Sequence, residues 1–240
     1  QNQAQLKNQI NTNSTESSNP NDSNNEKESS RADFIYYQRY FLNNLNALPL
    51  TLVFMVLGII GFIIPSIMWQ SRLFFELLFL SLPAMLDNHK YWQLLTPTFI
   101  HFGWLHIIFN TLWMGILGAR VEFSLGLKKT AIIFVVISVA ANVVQYVIST
   151  GQPFGGLSGL IYGLIGFLMI QRKCQPTPVN AIGNGLIISM LVFMMLGVFG
   201  IMDVFIPGSI ANGAHIGGFV AGILIACVMY FKDLSKVINI

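Results

Sequence analysis

Charged residues are scarce in this chain, and their scarcity excludes most soluble folds. Only 10% of the 240 residues are Asp, Glu, Lys or Arg, whereas 54% are hydrophobic. An ordinary soluble domain carries roughly 25% charged residues. The deficit is concentrated after residue 47, which indicates a protein that crosses a membrane several times. The net charge of +3 comes from dispersed basic residues, so nothing in it favours nucleic acid as a partner.

Cysteine is also rare. The chain has two cysteines, Cys174 and Cys227, without the spacing of a metal or redox motif, so we expect two unrelated free thiols. Three histidines, His101, His106 and His215, could in principle bind zinc, but no helical HExxH pattern accompanies them. We therefore expect a protein without metal or cofactor.

Carboxylates are absent from the apolar segments. All ten acidic residues fall in tails or connections. His101, His106 and His215, by contrast, lie within an apolar segment or at its mouth. Ionisable groups at membrane depth are costly and usually functional, so these histidines are candidate site residues.

The chain divides into four predicted segments. Residues 1–33 are rich in Asn, Ser, Gln and Glu, which favours a disordered cytoplasmic tail. Residues 34–47 are aromatic and amphipathic, as is typical of a juxtamembrane interfacial segment. Residues 48–231 hold the apolar spans, and residues 232–240 form a short cytoplasmic tail.

About 20 apolar residues cross the hydrocarbon core of a bilayer. Six candidate spans lie at residues 48–68, 103–119, 130–149, 158–171, 182–201 and 210–231. We therefore predict an all-α membrane protein, built as a six-helix bundle. The fourth span is short, so the loop before it is expected to dip into the bundle. The long first connection, residues 69–102, contains an apolar stretch too short to cross, which predicts an interfacial segment.

Basic residues predict how this bundle is oriented. With the N-terminus inside, only Arg72 and Lys90 of the 13 basic residues lie in external segments. Both termini should therefore be cytoplasmic, in a multi-pass protein of the inner (plasma) membrane. The second, fourth and sixth spans then run from outside to inside.

Reactive side chains lie near the outer ends of those three spans. Ser158 belongs to the run GGLSGLIYGLIG (155–166), and His215 to the run ANGAHIGGFVAG (211–222). At 1.5 Å per residue, both share one depth with His106, below the outer surface. A serine and a histidine that meet there could act as nucleophile and general base on a peptide carbonyl. The pocket must open to the periplasmic or extracellular side to admit water.

Further residues at helical spacing could support that chemistry. Tyr162 lies four residues after Ser158 and can pack against the imidazole of His215. His106 and Asn110, also four apart, can donate hydrogen bonds to an oxyanion. No carboxylate is available as a third member, so the sequence predicts a Ser–His dyad.

Small residues predict that the fourth and sixth spans pack closely. Gly159 and Gly163 form one stripe, and Ala214, Gly218 and Gly222 form another. Such stripes let helix backbones approach each other. The stripes adjoin the two reactive residues.

Other interpretations of the same residues remain open at this point. A serine in a membrane helix often bonds only to its own backbone, and a membrane histidine can be structural or part of a proton path. A transporter or channel would normally add intramembrane carboxylates or an internal repeat, and the sequence has neither.

Three motifs resemble those of the rhomboid family of intramembrane serine proteases, over about residues 48–231. HFGWLHIIFN (101–110) is similar to the family's H-x4-H-x3-N, GGLSGLIYG (155–163) to its G-x-S-G-x3-Y-G, and AHIGG (214–218) to its A-H-x2-G. The resemblance implies a six-helix bundle that cuts transmembrane proteins at or near their outer ends.

The resemblance also implies residue roles. Ser158 would be the nucleophile and His215 the base, with His106 and Asn110 in the oxyanion site and Tyr162 stacked on His215. The motif glycines Gly156, Gly159 and Gly218 would support them. The alternative is a catalytically silent rhomboid-like protein that binds transmembrane segments.

Two segments of the resemblance concern structure. Trp92–Gln93 resembles a Trp–Arg pair in the family's first loop, and glutamine at the second position puts the anchoring of that loop in doubt. The segment RVEFSLG (120–126) is similar to a Glu-containing turn.

Overall fold

Helices make up the regular structure. The computed structural model describes residues 48–68, 71–149, 152–177, 179–201 and 210–237, all within one unit of the chain, Asn44–Ile240. The predicted tail, residues 1–33, and the predicted interfacial segment, residues 34–47, lie outside the described residues.

Ten α-helices and no β-strand occur in these described ranges. The helices are α1 (Pro49–Met68), α2 (Arg72–Leu78), α3 (Leu82–Asn88), α4 (Trp104–Trp113), α5 (Ala119–Leu125), α6 (Leu127–Ser149), α7 (Ser158–Cys174), α8 (Asn184–Val198), α9 (Asn212–Met229) and α10 (Phe231–Val237). A π-helical segment, Met114–Gly118, joins α4 to α5. Two 3-10 turns, Tyr91–Leu94 and Thr96–Phe99, precede α4.

Each predicted span contains a helix, although the bounds differ. In the part of the chain that the structure describes, α6 and α9 are long and apolar enough to cross a membrane, while α8 is a shorter apolar helix. The number of spans therefore stays a prediction. The helical stretch of the second predicted span continues to Leu125, and within it the Arg120 side chain donates to the main-chain oxygen of Ile116 at 2.9 Å. The predicted tail 232–240 contains most of α10.

Helix α7 lies at the centre of the core. Every residue from Gly159 to Leu168 is buried. A helix that is apolar on all sides is expected to be surrounded by protein. Helix α9 packs directly on it, since a Cβ at Gly218 would overlap the main-chain carbonyl of Gly159, and a Cβ at Gly222 that of Gly163. The two stripes predicted from the sequence thus face each other.

A buried carboxylate holds the start of α1. Glu122 of α5 is 3% exposed and accepts hydrogen bonds from the N–H groups of Leu50 and Thr51, at 2.9 and 2.8 Å, and from the Thr51 hydroxyl at 2.7 Å. First-turn N–H groups have no partner within their own helix, so this carboxylate caps α1. The structural role that the resemblance implies for this turn agrees with that geometry.

The first connection is anchored despite its glutamine. Gln93 is fully buried, its Nε2 donates to the carbonyl of Glu76 at 2.7 Å, and its Oε1 accepts the N–H of Ser81 at 3.1 Å. The indole of Trp92 donates to the carbonyl of Leu77 at 2.8 Å. A neutral amide therefore joins the 3-10 turns to α2, and the doubt that the sequence raised about anchoring is not realised.

Candidate active site

Ser158 and His215 lie within hydrogen-bonding distance of each other. Ser158 begins α7, and His215 lies in the first turn of α9. The Ser158 Oγ is 2.9 Å from the His215 Nε2. Because glycines let the backbones of α7 and α9 come into contact, the short side chain of Ser158 reaches His215 on the neighbouring helix. A serine hydroxyl can transfer its proton to an imidazole at this distance.

The loop before Ser158 sets where α7 begins. Gly156 has φ +128°, a conformation that side chains rarely adopt. Leu157 then turns to helical angles, and its carbonyl accepts the N–H of Ile161 at 2.9 Å as the first helical bond. The sequence Gly-Leu-Ser thus starts the helix at Ser158, where the sequence predicts its start.

Tyr162 packs against the imidazole. The ring centroids of Tyr162 and His215 are 4.5 Å apart with planes at 39°. The Tyr162 hydroxyl donates to the main-chain carbonyl of Met190 in α8 at 3.1 Å. The ring therefore has a fixed position between α8 and His215.

The second imidazole nitrogen is buried without a hydrogen-bond partner among the described residues. That atom is Nδ1 of His215, whose side chain is 5% exposed. No carboxylate bonds to it among the described residues, and the Ser–His dyad stays a prediction.

His106 and Asn110 converge on the same loop. A Cβ at residue 156 would lie 2.7 Å from the His106 Nε2 and 3.5 Å from the Asn110 Nδ2, so glycine leaves the space that both donors approach. The N–H of Phe102 lies 3.5 Å from the Nδ1 of His106, a long hydrogen bond that favours the ring proton on Nε2. The Asn110 Nδ2 is buried and has no partner in the part of the chain that is described.

Sequence reasoning assigned no role to Gln145. Its Oε1 accepts the N–H of Ala214 at 3.0 Å, which fixes the first turn of α9 beside His215. On the same helix, the Asn142 amide donates to the carbonyl of Leu94 at 2.8 Å and to the hydroxyl of Thr98 at 3.0 Å. The two side-chain amides inside a mostly apolar predicted span, Asn142 and Gln145, were the available signal.

His101 was a candidate from the sequence without a role. It is 1% exposed, its Nδ1 lies 2.9 Å from the carbonyl of Phe99, and its Nε2 accepts the N–H of Leu157 at 3.3 Å. Burial and the neighbouring His106 lower the pKa of His101 to about 3, so the ring is neutral near pH 7.

The histidines and thiols do not assemble into a metal site in the described ranges. No group of three or more His, Cys, Asp or Glu side chains lies close enough together there to hold an ion. Cys174 and Cys227 are both free and partly buried.

Comparisons with known proteins identify the family of this chain. The Rhomboid domain family matches residues 88–232 of this chain. The Rhomboid protease GlpG of Enterobacter sp. is 34% identical over 195 residues, which is 80% of this chain and 68% of the relative. The Rhomboid protease GlpG of Pectobacterium atrosepticum matches with the same identity and coverage. The chain therefore belongs to the rhomboid family of intramembrane serine proteases.

Proposed function

We propose that this protein cleaves transmembrane proteins near the outer ends of their helices, with Ser158 as nucleophile and His215 as general base. The observation that carries the proposal is the 2.9 Å contact between Ser158 Oγ and His215 Nε2. The proposed reaction uses no metal and no cofactor.

In the first step the Ser158 oxygen attacks the carbonyl carbon of the scissile peptide. Its proton passes to the Nε2 of His215, and a tetrahedral intermediate forms with one new C–O bond. Before this step Nε2 must be unprotonated, so the proton of the neutral ring is on Nδ1. The contact with Tyr162, at 4.5 Å between centroids, keeps the imidazole facing Ser158.

The intermediate carries a negative oxygen, which His106 and Asn110 stabilise as donors. Support comes from the buried Nδ2 of Asn110, which lacks a partner among the described atoms and would gain one from the oxyanion. The N–H groups in the first turn of α7 add positive potential at the same place.

In the second step the C–N bond breaks, and the His215 imidazolium returns its proton to the leaving amine. An acyl-serine remains. Water, deprotonated by His215, attacks the acyl carbon and releases Ser158 with its proton restored. Each half of the reaction therefore uses the same base and the same oxyanion donors.

The proposed setting is a bacterial inner membrane. In this setting the chain crosses the membrane six times over residues 48–231, both termini lie in the cytoplasm, and Ser158 lies below the outer surface. The distribution of basic residues supports this orientation. A reporter that is active only outside the cytoplasm, fused after Ile240, should be inactive, and an active fusion would contradict the topology.

The expected substrates are transmembrane helices with small or helix-breaking residues. A helix engages its own carbonyls in hydrogen bonds, so it must unwind before attack. A reporter series with Gly or Leu near the scissile bond tests this expectation. Equal cleavage of rigid and Gly-containing helices would contradict it.

The central experiment measures cleavage of a transmembrane reporter by purified protein in detergent. Ser158→Ala and His215→Ala should abolish cleavage, whereas the matched controls Ser189→Ala and His89→Asn should not. Ser189 is exposed and bonds only to its own helix at Leu186 O, and His89 lies exposed in the first connection with φ 56°. Retained cleavage in Ser158→Ala would overturn the proposal.

A catalytically silent binder makes a different prediction. A serine-directed fluorophosphonate should label the wild type at Ser158 and should not label Ser158→Ala or His215→Ala. A binder would hold the reporter and leave Ser158 unlabelled.

A further inference from the structure

His101 has two neighbours whose hydrogen-bonding roles are fixed. The carbonyl of Phe99, 2.9 Å from Nδ1, can only accept, and the N–H of Leu157, 3.3 Å from Nε2, can only donate. A neutral ring satisfies both in one tautomer alone, with the proton on Nδ1 and a lone pair on Nε2. The main chain of Gly58 also interacts with the ring, and the tautomer follows from the two hydrogen bonds to Phe99 and Leu157.

The Leu157 N–H belongs to the loop that carries the site. This N–H lies in the peptide between Gly156, which has φ +128°, and Leu157, the residue before Ser158. The neighbouring N–H of Gly156 donates to the carbonyl of Pro97 at 3.0 Å. Two successive amides of the loop thus bond to the segment 97–101, one through the main chain and one through His101.

The same ring also contacts a proposed oxyanion donor. The centroids of His101 and His106 are 4.9 Å apart in an edge-to-face arrangement. On the other side, a Cβ at Gly58 of α1 would lie 3.3 Å from Cε1 of His101. His101 is therefore packed between α1, His106 and the loop before Ser158.

We propose that His101 is a positioning residue for the cleavage reaction: its Nε2 lone pair holds the Gly156–Leu157 peptide and thereby the geometry of Ser158 relative to His106. This inference rests on the proposed function. His101 acts through the loop and through His106, and takes no proton during the reaction. The two histidines of HFGWLHIIFN accordingly have opposite tautomers, His101 protonated on Nδ1 and His106 on Nε2.

The test compares two substitutions, each of which retains a polar atom at the position of one ring nitrogen. In His101→Gln the amide oxygen replaces the Nε2 acceptor, and in His101→Asn the amide lies where Nδ1 was and cannot reach the Leu157 N–H. We expect His101→Asn to lower kcat for the transmembrane reporter by roughly tenfold or more, with little change in KM. His101→Gln should recover most of that loss, in cleavage and in fluorophosphonate labelling.

Equal losses in the two variants, or no loss in either, would overturn the role of His101 as long as the wild type cleaves. An inactive wild type would instead overturn the proposed function. Nitrogen NMR of the histidine-labelled wild type gives a readout that needs no variant to fold. A protonated Nδ1 and an unprotonated Nε2 support the proposal, and the reverse tautomer or an imidazolium overturns it.

Discussion

Helices α9 and α8 both contact the central helix α7, but in different ways. The α7–α9 contact is made by backbone, with Gly159 and Gly163 lying against Gly218 and Gly222. Helix α8 buries one stripe only, Ile187, Met190, Met194 and Gly197. Close backbone packing leaves no room for displacement, whereas a single stripe of flexible side chains can separate at lower cost. The proposed dyad, Ser158 and His215, thus lies on the rigid helix pair α7 and α9.

Side-chain hydrogen bonds tie both ends of α8 to neighbouring elements, whereas its middle is held by the buried stripe and by the Tyr162 hydroxyl on the Met190 carbonyl. At its start Arg172 donates to the carbonyl of Ile182 at 2.6 Å and to the Asn184 side chain at 2.8 Å. At its end the Asn212 amide donates to the carbonyl of Gly197 at 2.9 Å. Elements with few buried contacts open at the lowest free energy. We therefore expect the middle of α8 to move when a substrate approaches from the bilayer.

The first connection, residues 69–102, is the other element that could move to admit a substrate. It is tied by side chains at several points, including Gln93 to Glu76 and Asn142 to Leu94. The Thr96 hydroxyl adds a hydrogen bond to the carbonyl of Leu78 at 2.7 Å. These contacts favour α8 over the first connection as the mobile element.

The largest effect is expected from a methyl group between α7 and α9. In Gly218→Ala the new Cβ overlaps the Gly159 carbonyl, so the helices must separate. The free energy of unfolding should fall by about 3 kcal/mol, and cleavage should be lost. Unfolding by SDS titration in mixed micelles measures the first effect, and the transmembrane reporter the second.

The matched control is a glycine in α8. A Cβ at Gly185 meets nothing within 4 Å. Gly185→Ala should therefore raise the free energy of unfolding by about 0.5–1 kcal/mol through helix propensity, and keep activity. If Gly185→Ala and Gly218→Ala change stability and cleavage equally, α8 packs no more loosely than α9, and the proposed difference between the two helices is wrong.

An effect of intermediate size is expected at Asn110 of α4, which lies outside the α7–α9 pair and approaches the loop before Ser158. Asn110→Ala removes an amide nitrogen that has no hydrogen-bond partner in the described structure, so the free energy of unfolding should change little. Its kcat should fall by about 10²-fold if the amide binds the oxyanion. Thr111→Val is the control, because the Thr111 hydroxyl bonds to its own helix at Ile107 O and Ile108 O. A loss of stability that matches the loss of rate in Asn110→Ala would assign the residue to the fold alone.

The candidate site was predictable because helical spacing fixes depth and face. Ser158 and His215 lie near the starts of α7 and α9, and the glycine stripes beside them bring those helices together. Contacts that end on main-chain atoms were not predictable. Examples are the Met190 carbonyl, which accepts the Tyr162 hydroxyl, and the Leu157 N–H, which donates to His101. Nearly every residue carries a carbonyl and an N–H, so the sequence does not indicate which of them are used. Only tertiary structure selects them.

Helix ends were the least predictable part of the fold. The hydrophobic pattern predicts a fifth span over residues 182–201, whereas helix α8 covers Asn184–Val198. Gly183 precedes the helix with extended angles, and Gly200, with φ 71°, follows its end. A glycine just after a helix often adopts the left-handed conformation that ends the helix. Hydrophobicity alone does not detect this signal.

The smallest effect should come from the hydroxyl of Tyr162. Tyr162→Phe keeps the ring on His215 and removes the hydrogen bond to Met190 in the middle of α8. The free energy of unfolding should fall by about 1 kcal/mol, and fluorophosphonate labelling of Ser158 should stay near the wild-type rate. Cleavage of the transmembrane reporter should rise, because α8 separates more easily. Tyr146→Phe is the control, since the Tyr146 hydroxyl accepts the N–H of Leu82 and bonds α6 to the first connection instead. If Tyr146→Phe speeds cleavage and Tyr162→Phe does not, the first connection is the mobile element and α8 belongs to the rigid part.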